Sequence, residues 1–202
     1  AQSFVLGQEF IGNDSVSLIL GDKICCGHLQ FMYDAIKNNT GGTIFGYRVN
    51  DPERYGIVDF DESGKVLSIE EKPEKPKSNY AVPGLYVYDN RVVEISKNLK
   101  PSPRGELEIT DVNIEYLKLG DLKVEKMSRG IAWLDTGTPE ALLQASSFFG
   151  VIEERQGLKV ACLEEIAYHM KFITNKQFDE IINALPKSLY RTYLEKVERH
   201  KN

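Results

Sequence analysis

Apolar and polar positions alternate along this chain with two different periods, and the change of period marks out its elements. Residues 16–20 (Val-Ser-Leu-Ile-Leu) form a short, mostly apolar run ending in Gly21-Asp22, the texture of a strand buried on both faces, as in a parallel sheet. Leu29, Met32, Ala35 and Ile36 then recur at helical spacing, Asn38 to Gly42 stop that helix, and 43–49 reads as the next strand. Strand, helix, strand in this order is a βαβ unit and predicts an α/β fold. Runs at 55–60 and 65–70 flank the turn-forming Asp61-Glu62-Ser63-Gly64 and predict a hairpin. The proline- and lysine-rich stretch 73–77 predicts an exposed loop. Residues 80–88 read as a strand interrupted at Pro83, which cannot donate to a ladder and so predicts a bulge or an edge position.

Helical spacing dominates afterwards. Residues 90–99 predict a helix stopped by Pro101, and Ile109, Val112, Tyr116 and Leu119 mark the inner face of another that ends at Gly120. Two short strands follow, near 122–127 and 131–134. Thr138-Pro139-Glu140 combines a capping hydroxyl, a first-turn proline and an acid near the helix dipole, and so predicts a helix start. Beyond residue 150 the stripes Phe178/Ile181/Ile182/Leu185 and Tyr190/Tyr193/Leu194/Val197 predict helices separated by Pro186. The expected division is an α/β body over 1–150 and a helical appendage over 151–202.

Composition narrows the possible partners. Lys plus Arg number 25 against 30 Asp plus Glu, a net charge of −5, which argues against a surface built to grip nucleic acid or an anionic membrane. No apolar run approaches the ~18 residues of a membrane span. The opening Ala-Gln-Ser-Phe has no basic or apolar leader and no start methionine, so no secretory signal is expected and the chain is expected to be part of something longer. Cys25, Cys26 and Cys162 make an odd count and are expected to be free thiols in a reducing cytosol.

Several residues carry candidate chemistry. Asp22 stands where an apolar strand runs out, the end at which open α/β sheets bind ligands; it reads either as a site acid or as a loop residue that caps the next helix. Asp135 closes Ile131-Ala132-Trp133-Leu134 ahead of Thr136-Gly137-Thr138, and reads either as a second acid or as a cap. If their strands are neighbours, the two carboxylates suit a hard cation such as Mg²⁺, beside a helix N-terminus that favours phosphate. Glu70-Glu71-Lys72-Pro73 is either a solvated charge run or a strand end with one acid turned to a sugar hydroxyl and a lysine placed for a phosphate. Arg104 precedes a helix, as an anion clamp or a surface arginine, and Gly56 after Tyr55 permits close approach by a ligand. The chain has no Walker-type loop, no G-x-G-x-x-G, no G-x-S-x-G and no H-E-x-x-H, so covalent serine or cysteine catalysis has no signature here.

Taken together, Leu20-Gly21-Asp22, the block 50–56 (Asn-Asp-Pro-Glu-Arg-Tyr-Gly), Glu70-Glu71-Lys72-Pro73, Ser78-Asn79-Tyr80-Ala81-Val82, Gly84-Leu85-Tyr86, the block 104–111 and Trp133-Leu134-Asp135-Thr136-Gly137-Thr138 resemble, in order, blocks of the bacterial glucose-1-phosphate thymidylyltransferase family. The resemblance continues through 152–159 and covers essentially the whole chain. It implies a Rossmann-like, GT-A-like nucleotidyltransferase fold: a mixed sheet with flanking helices. It implies the formation of dTDP-glucose and pyrophosphate from dTTP and α-D-glucose 1-phosphate with Mg²⁺, in the cytoplasm, for rhamnose and other deoxysugars of surface polysaccharides. By matching blocks, Asp22 and Asp135 resemble metal ligands, Lys72 the lysine that holds the sugar phosphate, and Arg104 a phosphate-facing arginine. Tyr55, Gly56, Glu71, Val82 and Tyr86 resemble the sugar pocket. A homotetramer built on the C-terminal helices, and a regulatory nucleotide site around Gly27-His28 and residues 153–155, are implied in the same way.

Two departures stand out. The family's Gly-rich loop with Arg and Lys, which cradles the triphosphate, has no counterpart in these 202 residues, so the chain by itself is expected to have little or no transferase activity. The block after the first acid, Asn-Ile-Phe-Tyr-Gly-His in the family, here reads Lys23-Ile24-Cys25-Cys26-Gly27-His28, and Lys23 is expected to compete with a cation. The alternatives are a uridylyl- or cytidylyltransferase acting on the same sugar phosphate, or a non-catalytic sugar-phosphate-binding or oligomerisation module.

Overall fold

A computed structural model describes residues 1–103 and 105–198; Arg104, with the sequence-based expectation attached to it, lies outside the described residues. In chain order the elements are α1 (Gln2–Leu6), α2 (Gln8–Ile11), β1 (Val16–Ile19), β2 (Lys23–Cys26), α3 (Gln30–Asn38), β3 (Gly42–Arg48), a 3₁₀ turn (Pro52–Arg54), β4 (Gly56–Phe60), β5 (Val66–Glu71), β6 (Tyr80–Ala81) and β7 (Leu85–Tyr88). They continue with α4 (Arg91–Asn98), α5 (Ile109–Leu119), β8 (Leu122–Lys126), β9 (Ala132–Asp135), α6 (Pro139–Gln156), α7 (Leu163–His169), α8 (Asn175–Ala184) and α9 (Leu189–Lys196). The chain divides into two compact units, Ala1–Leu142 and Leu143–Asn202. Among the described residues no helix is long and apolar enough to cross a membrane.

The first unit is a mixed α/β layer structure, as expected. Its sheet runs β1-β7-β3-β6-β4-β5, with β8 parallel to β3 and the other pairings antiparallel. Successive side chains on a strand face opposite ways, and the core divides accordingly. Ile44, Tyr86 and Tyr88 point to one face, where Phe4, Val92, Val112 and Tyr116 of α1, α4 and α5 cover them. Phe45, Leu85 and Val87 point to the other, under Ala35 of α3 together with Met127 and Ile131. On the first face Tyr88 stacks on Tyr116 with ring centroids 5.3 Å apart, and its hydroxyl donates to the buried Asn113 Oδ1.

Local chemistry explains the turns. Asp61 Oδ1 accepts from the Ser63 and Lys65 N–H groups and so closes the β4–β5 hairpin foreseen at 61–64. Gly120 ends α5 in the left-handed region at φ 76°. Thr138 Oγ1 accepts from the Ala141 N–H at the start of α6.

Three expectations need correction. Strand β1 is not buried on both faces: it pairs with β7 at the end of the strand order, and Ile19 is 53% exposed. At Pro83 the chain makes a full break, leaving the β3–β6–β4 ladders and entering the β1–β7–β3 ladders. The segment 23–26 is a strand, β2, antiparallel to β9, where no element was foreseen.

In the second unit, α7, α8 and α9 gather Tyr168, Phe178, Ile182 and Leu194 around the buried Cys162. Tyr168 stacks on Phe178 at 4.5 Å, and Thr174 with Gln177 forms a capping box that starts α8. All three cysteines are free thiols.

Candidate active site

The two acids are brought together by a short ladder. Leu20 donates its N–H to the Gly84 carbonyl at the end of β1, and the turn back into β2 is closed by the Lys23 N–H on the Leu20 carbonyl. Asp22 occupies that turn. Its own carbonyl accepts from both the N–H and the Oγ1 of Thr136, each at 2.9 Å, which ties it to the chain just beyond Asp135. The β2–β9 register sets Lys23 directly opposite Asp135, and facing residues of an antiparallel pair present their side chains on one side. A Cβ built on Gly137 would lie 3.1 Å from Asp135 Oδ1 and 3.6 Å from Asp22 Oδ2, so the carboxylates, distant in sequence, flank one point.

Lys23 stands between these acids. Its Nζ lies 3.1 Å from Asp22 Oδ2 and 2.7 Å from Asp135 Oδ1, with the side chain only 13% exposed. Burial by itself would lower the Lys23 ammonium, but its bonds to the two carboxylates outweigh it and raise the pKa above the usual lysine value. Burial would raise Asp135; the Lys23 ammonium and the Gly137 N–H, 3.0 Å from Oδ1, outweigh it and hold the carboxyl below its ordinary range. The donor set has the hard oxygens that Mg²⁺ takes. As arranged, however, the pair embraces an ammonium and does not fit a divalent ion. Among the described residues no third His, Cys, Asp or Glu joins them to complete a metal cluster.

A cavity of ≈ 250 Å³ opens beside Asp135, lined by Lys23, Trp133, Gly56, Glu71, Lys72, Val82, Tyr86, Thr110 and Asn113 among others. The β4–β5 register puts Gly56 against Glu71. A Cβ at residue 56 would come within 3.2 Å of Glu71 Oε2, so the glycine keeps that wall open. Glu71 Oε2 accepts from Thr110 Oγ1 at 2.6 Å, a bond between two residues of the cavity wall, whereas Glu70 pairs with Lys77. The neighbouring acids of the tetrad thus have different partners. The Lys72 N–H donates to the Tyr55 carbonyl, and Lys72 holds a φ of 43°, a left-handed conformation that a non-glycine residue adopts at some cost. Among the described residues Lys72 has no ion-pair partner. Tyr86 is nearly buried, and burial, with the Glu71 charge beside it, raises its hydroxyl well above the ordinary phenol value. The Val82 N–H is used by the Gly56 carbonyl.

A second opening of ≈ 440 Å³ shares Lys23, Arg54, Tyr55, Lys72 and Asp135 with the first and adds Asp22, Gly137 and Thr138 at the start of α6. Of the residues expected at the site, Asp22, Asp135, Tyr55, Gly56, Glu71, Lys72, Val82 and Tyr86 therefore line these two adjoining cavities. Sequence reasoning assigned no role to Arg54, Thr110, Asn113 or Trp133. Arg54 pairs with Asp51 at 2.9 Å and lines both openings. Trp133 packs edge-on to Tyr47 and against Tyr55, and among the described residues its buried Nε1 has no hydrogen-bond partner. Its occurrence as the chain's single tryptophan was the available signal. Glu153, carried over with a regulatory site, is tied to Lys159 and to the Val160 N–H within the second unit. A larger cavity of ≈ 700 Å³ between α4 and α5, lined by Arg91, Asn98, Asp111 and Lys118 among others, holds none of the expected site residues.

Comparison with known proteins identifies the family. The family described as "Nucleotidyl transferase" matches residues 1–154. A Neisseria gonorrhoeae protein named glucose-1-phosphate thymidylyltransferase is 53% identical over 196 residues, covering 96% of this chain and 68% of its own length. A Mycobacterium tuberculosis protein of the same name is 52% identical over 202 residues, covering 99% of this chain and 70% of its own. Among solved structures, that of UDP-glucose pyrophosphorylase complexed with UDP-glucose superposes with a TM-score of 0.65 at 25% identity, over 73% of this chain and 60% of that one. The chain thus spans about two thirds of the length of these curated relatives and less of the solved one. With half of its residues shared across nearly its whole length, the chain belongs to the nucleotidyl transferase family, and within it to the glucose-1-phosphate thymidylyltransferases.

Proposed function

We propose that the chain carries the sugar-phosphate side of a thymidylyl transfer in which α-D-glucose 1-phosphate and dTTP give dTDP-glucose and pyrophosphate. One observation carries this reading: Glu71, Lys72, Gly56, Tyr86 and Asp135 line a single cavity of ≈ 250 Å³. Glu71, bonded to Thr110, accepts from sugar hydroxyls, and Gly56 leaves room for the ring. Lys72, a compact mobile charge, holds the sugar's phosphate. One phosphate oxygen attacks the nucleotide α-phosphorus; the new P–O bond forms as the bond to the β-phosphate breaks, and pyrophosphate leaves with the electron pair. Positioning of two anions and charge facing the phosphoryl oxygens supply the acceleration. The N-terminus of α6, capped by Thr138, adds N–H groups suited to phosphate.

The remaining parts of the reading rest on the resemblance. They are Mg²⁺ at Asp22 and Asp135, which the Lys23 ammonium would first have to vacate, a phosphate-binding role for Arg104, supply of deoxysugar synthesis in the cytoplasm, and a homo-oligomer. The thymidylyl relatives, at 52–53% identity, outweigh the UDP-glucose enzyme at 25% in the choice of base. These 202 residues contain no Gly-rich triphosphate loop, so turnover by the chain alone is expected to stay far below an ordinary ~10 s⁻¹.

The test is calorimetric titration of the chain with α-D-glucose 1-phosphate and with glucose. Lys72→Met is expected to weaken binding of the phosphorylated sugar by ~10-fold or more, the worth of a charge-assisted contact, and to leave glucose unaffected. Equal loss for both sugars, or no loss, refutes the assignment of Lys72.

A further inference from the structure

We infer that the Lys23 ammonium is the resident cation of the Asp22–Asp135 pair, and that a divalent ion enters only by displacing it. The inference rests on the proposed reading of those acids as the cation site. It starts from geometry: Nζ is 3.1 Å from one carboxylate and 2.7 Å from the other, so it bridges them. The backbone under it is fixed, because Lys23 is paired with Asp135 in the β2–β9 ladder and closes the turn on Leu20. Its side chain is 13% exposed, so it is no freely swinging surface lysine.

The electrostatic consequence is direct. Two carboxylates offer a charge of −2, and the bridging ammonium reduces it to −1. Mg²⁺ needs oxygens at about 2.0–2.1 Å in near-octahedral array, and an ammonium 2.7 Å from Asp135 Oδ1 occupies that space and repels the ion at contact range. With no third protein acid among the described residues to offset the repulsion, the pair is organised in the absence of metal and raises the concentration of free ion needed to load it.

The test uses the 202-residue chain with Mn²⁺ as the probe, followed by loss of the free-ion signal in electron paramagnetic resonance. Lys23→Asn is expected to bind Mn²⁺ about tenfold or more tightly than the native chain, since two ion pairs no longer have to be broken. Adding Asp135→Asn is expected to abolish the gain. Equal affinity with and without Lys23 overturns the inference about the lysine while leaving the acids as a cation site. Mn²⁺ binding indifferent to Asp135→Asn overturns the reading of the acid pair too. A second measurement needs no variant: acetylation of Lys23 in the native chain, read by mass spectrometry, is expected to rise severalfold at saturating Mg²⁺ as the ammonium is released. Unchanged labelling overturns the inference.

Discussion

Thr110→Val removes one hydrogen bond and little else. Thr110 is 5% exposed in the first turn of α5, and valine keeps its shape while deleting the donor that reaches Glu71 Oε2 at 2.6 Å. A hydrogen bond to a charged group contributes ~1.5–3 kcal/mol. That full loss would fall on folding only if the carboxylate were left dry. Glu71 is exposed, so water replaces the donor, and the unfolding free energy is expected to change by less than ~1 kcal/mol. The larger effect is on ligand binding. Without Thr110 the Glu71 side chain is free to leave the wall opposite Gly56, and ordering it again costs ~0.5–1.5 kcal/mol, or ~2- to 12-fold in affinity for α-D-glucose 1-phosphate. Calorimetric titration measures the affinity and urea unfolding the stability, with Thr110→Ser expected to restore both. Unchanged affinity refutes the positioning role, and a stability loss of ~3 kcal/mol or more would make Thr110 a core residue instead.

Tyr88→Phe strands the buried Asn113 Oδ1 and is expected to destabilise the first unit by ~1–3 kcal/mol, seen as a lower urea midpoint at unchanged slope. The Asp89 carboxyl is opposed by burial but held below its ordinary range by Arg91 and Tyr116. Its folded pKa is thus depressed, and the stability it gives is present above ~pH 4, where the unfolded carboxyl is ionised, and is lost as pH falls through the folded value. Urea midpoints measured from pH 6 to pH 3 are expected to fall less steeply in Asp89→Asn than in the native chain; parallel curves would refute the linkage.

What was legible in the sequence was local. The Asp61–Gly64 turn, the Thr138 cap, the Gly120 stop and the stripe through Phe178 and Ile182 are each decided within a few residues, and each forms as expected. What was not legible depends on partners far along the chain. Lys23-Ile24-Cys25-Cys26 has no strong period of its own and becomes a strand because 132–135 lies beside it. The apolar run of β1 looks fit for burial on both faces, yet where it sits in the sheet is decided by β7, about seventy positions later. Glu70 and Glu71 are indistinguishable as a charged pair until Lys77 and Thr110 claim one each. The candidate site was readable as a set of residues through ordered blocks; the ammonium lodged between its two acids required the ladder register.

Trp133 carries a practical consequence. The chain's single indole is wedged beside Tyr47 and Tyr55 and forms part of the wall of the ≈ 250 Å³ cavity, two positions ahead of Asp135. Light absorbed by the neighbouring phenols drains into this one ring, whose emission colour and yield follow the polarity of its immediate surroundings. The molecule therefore carries a native optical gauge: a solute that settles in the cleft is expected to register as a change in ultraviolet fluorescence, with no dye attached.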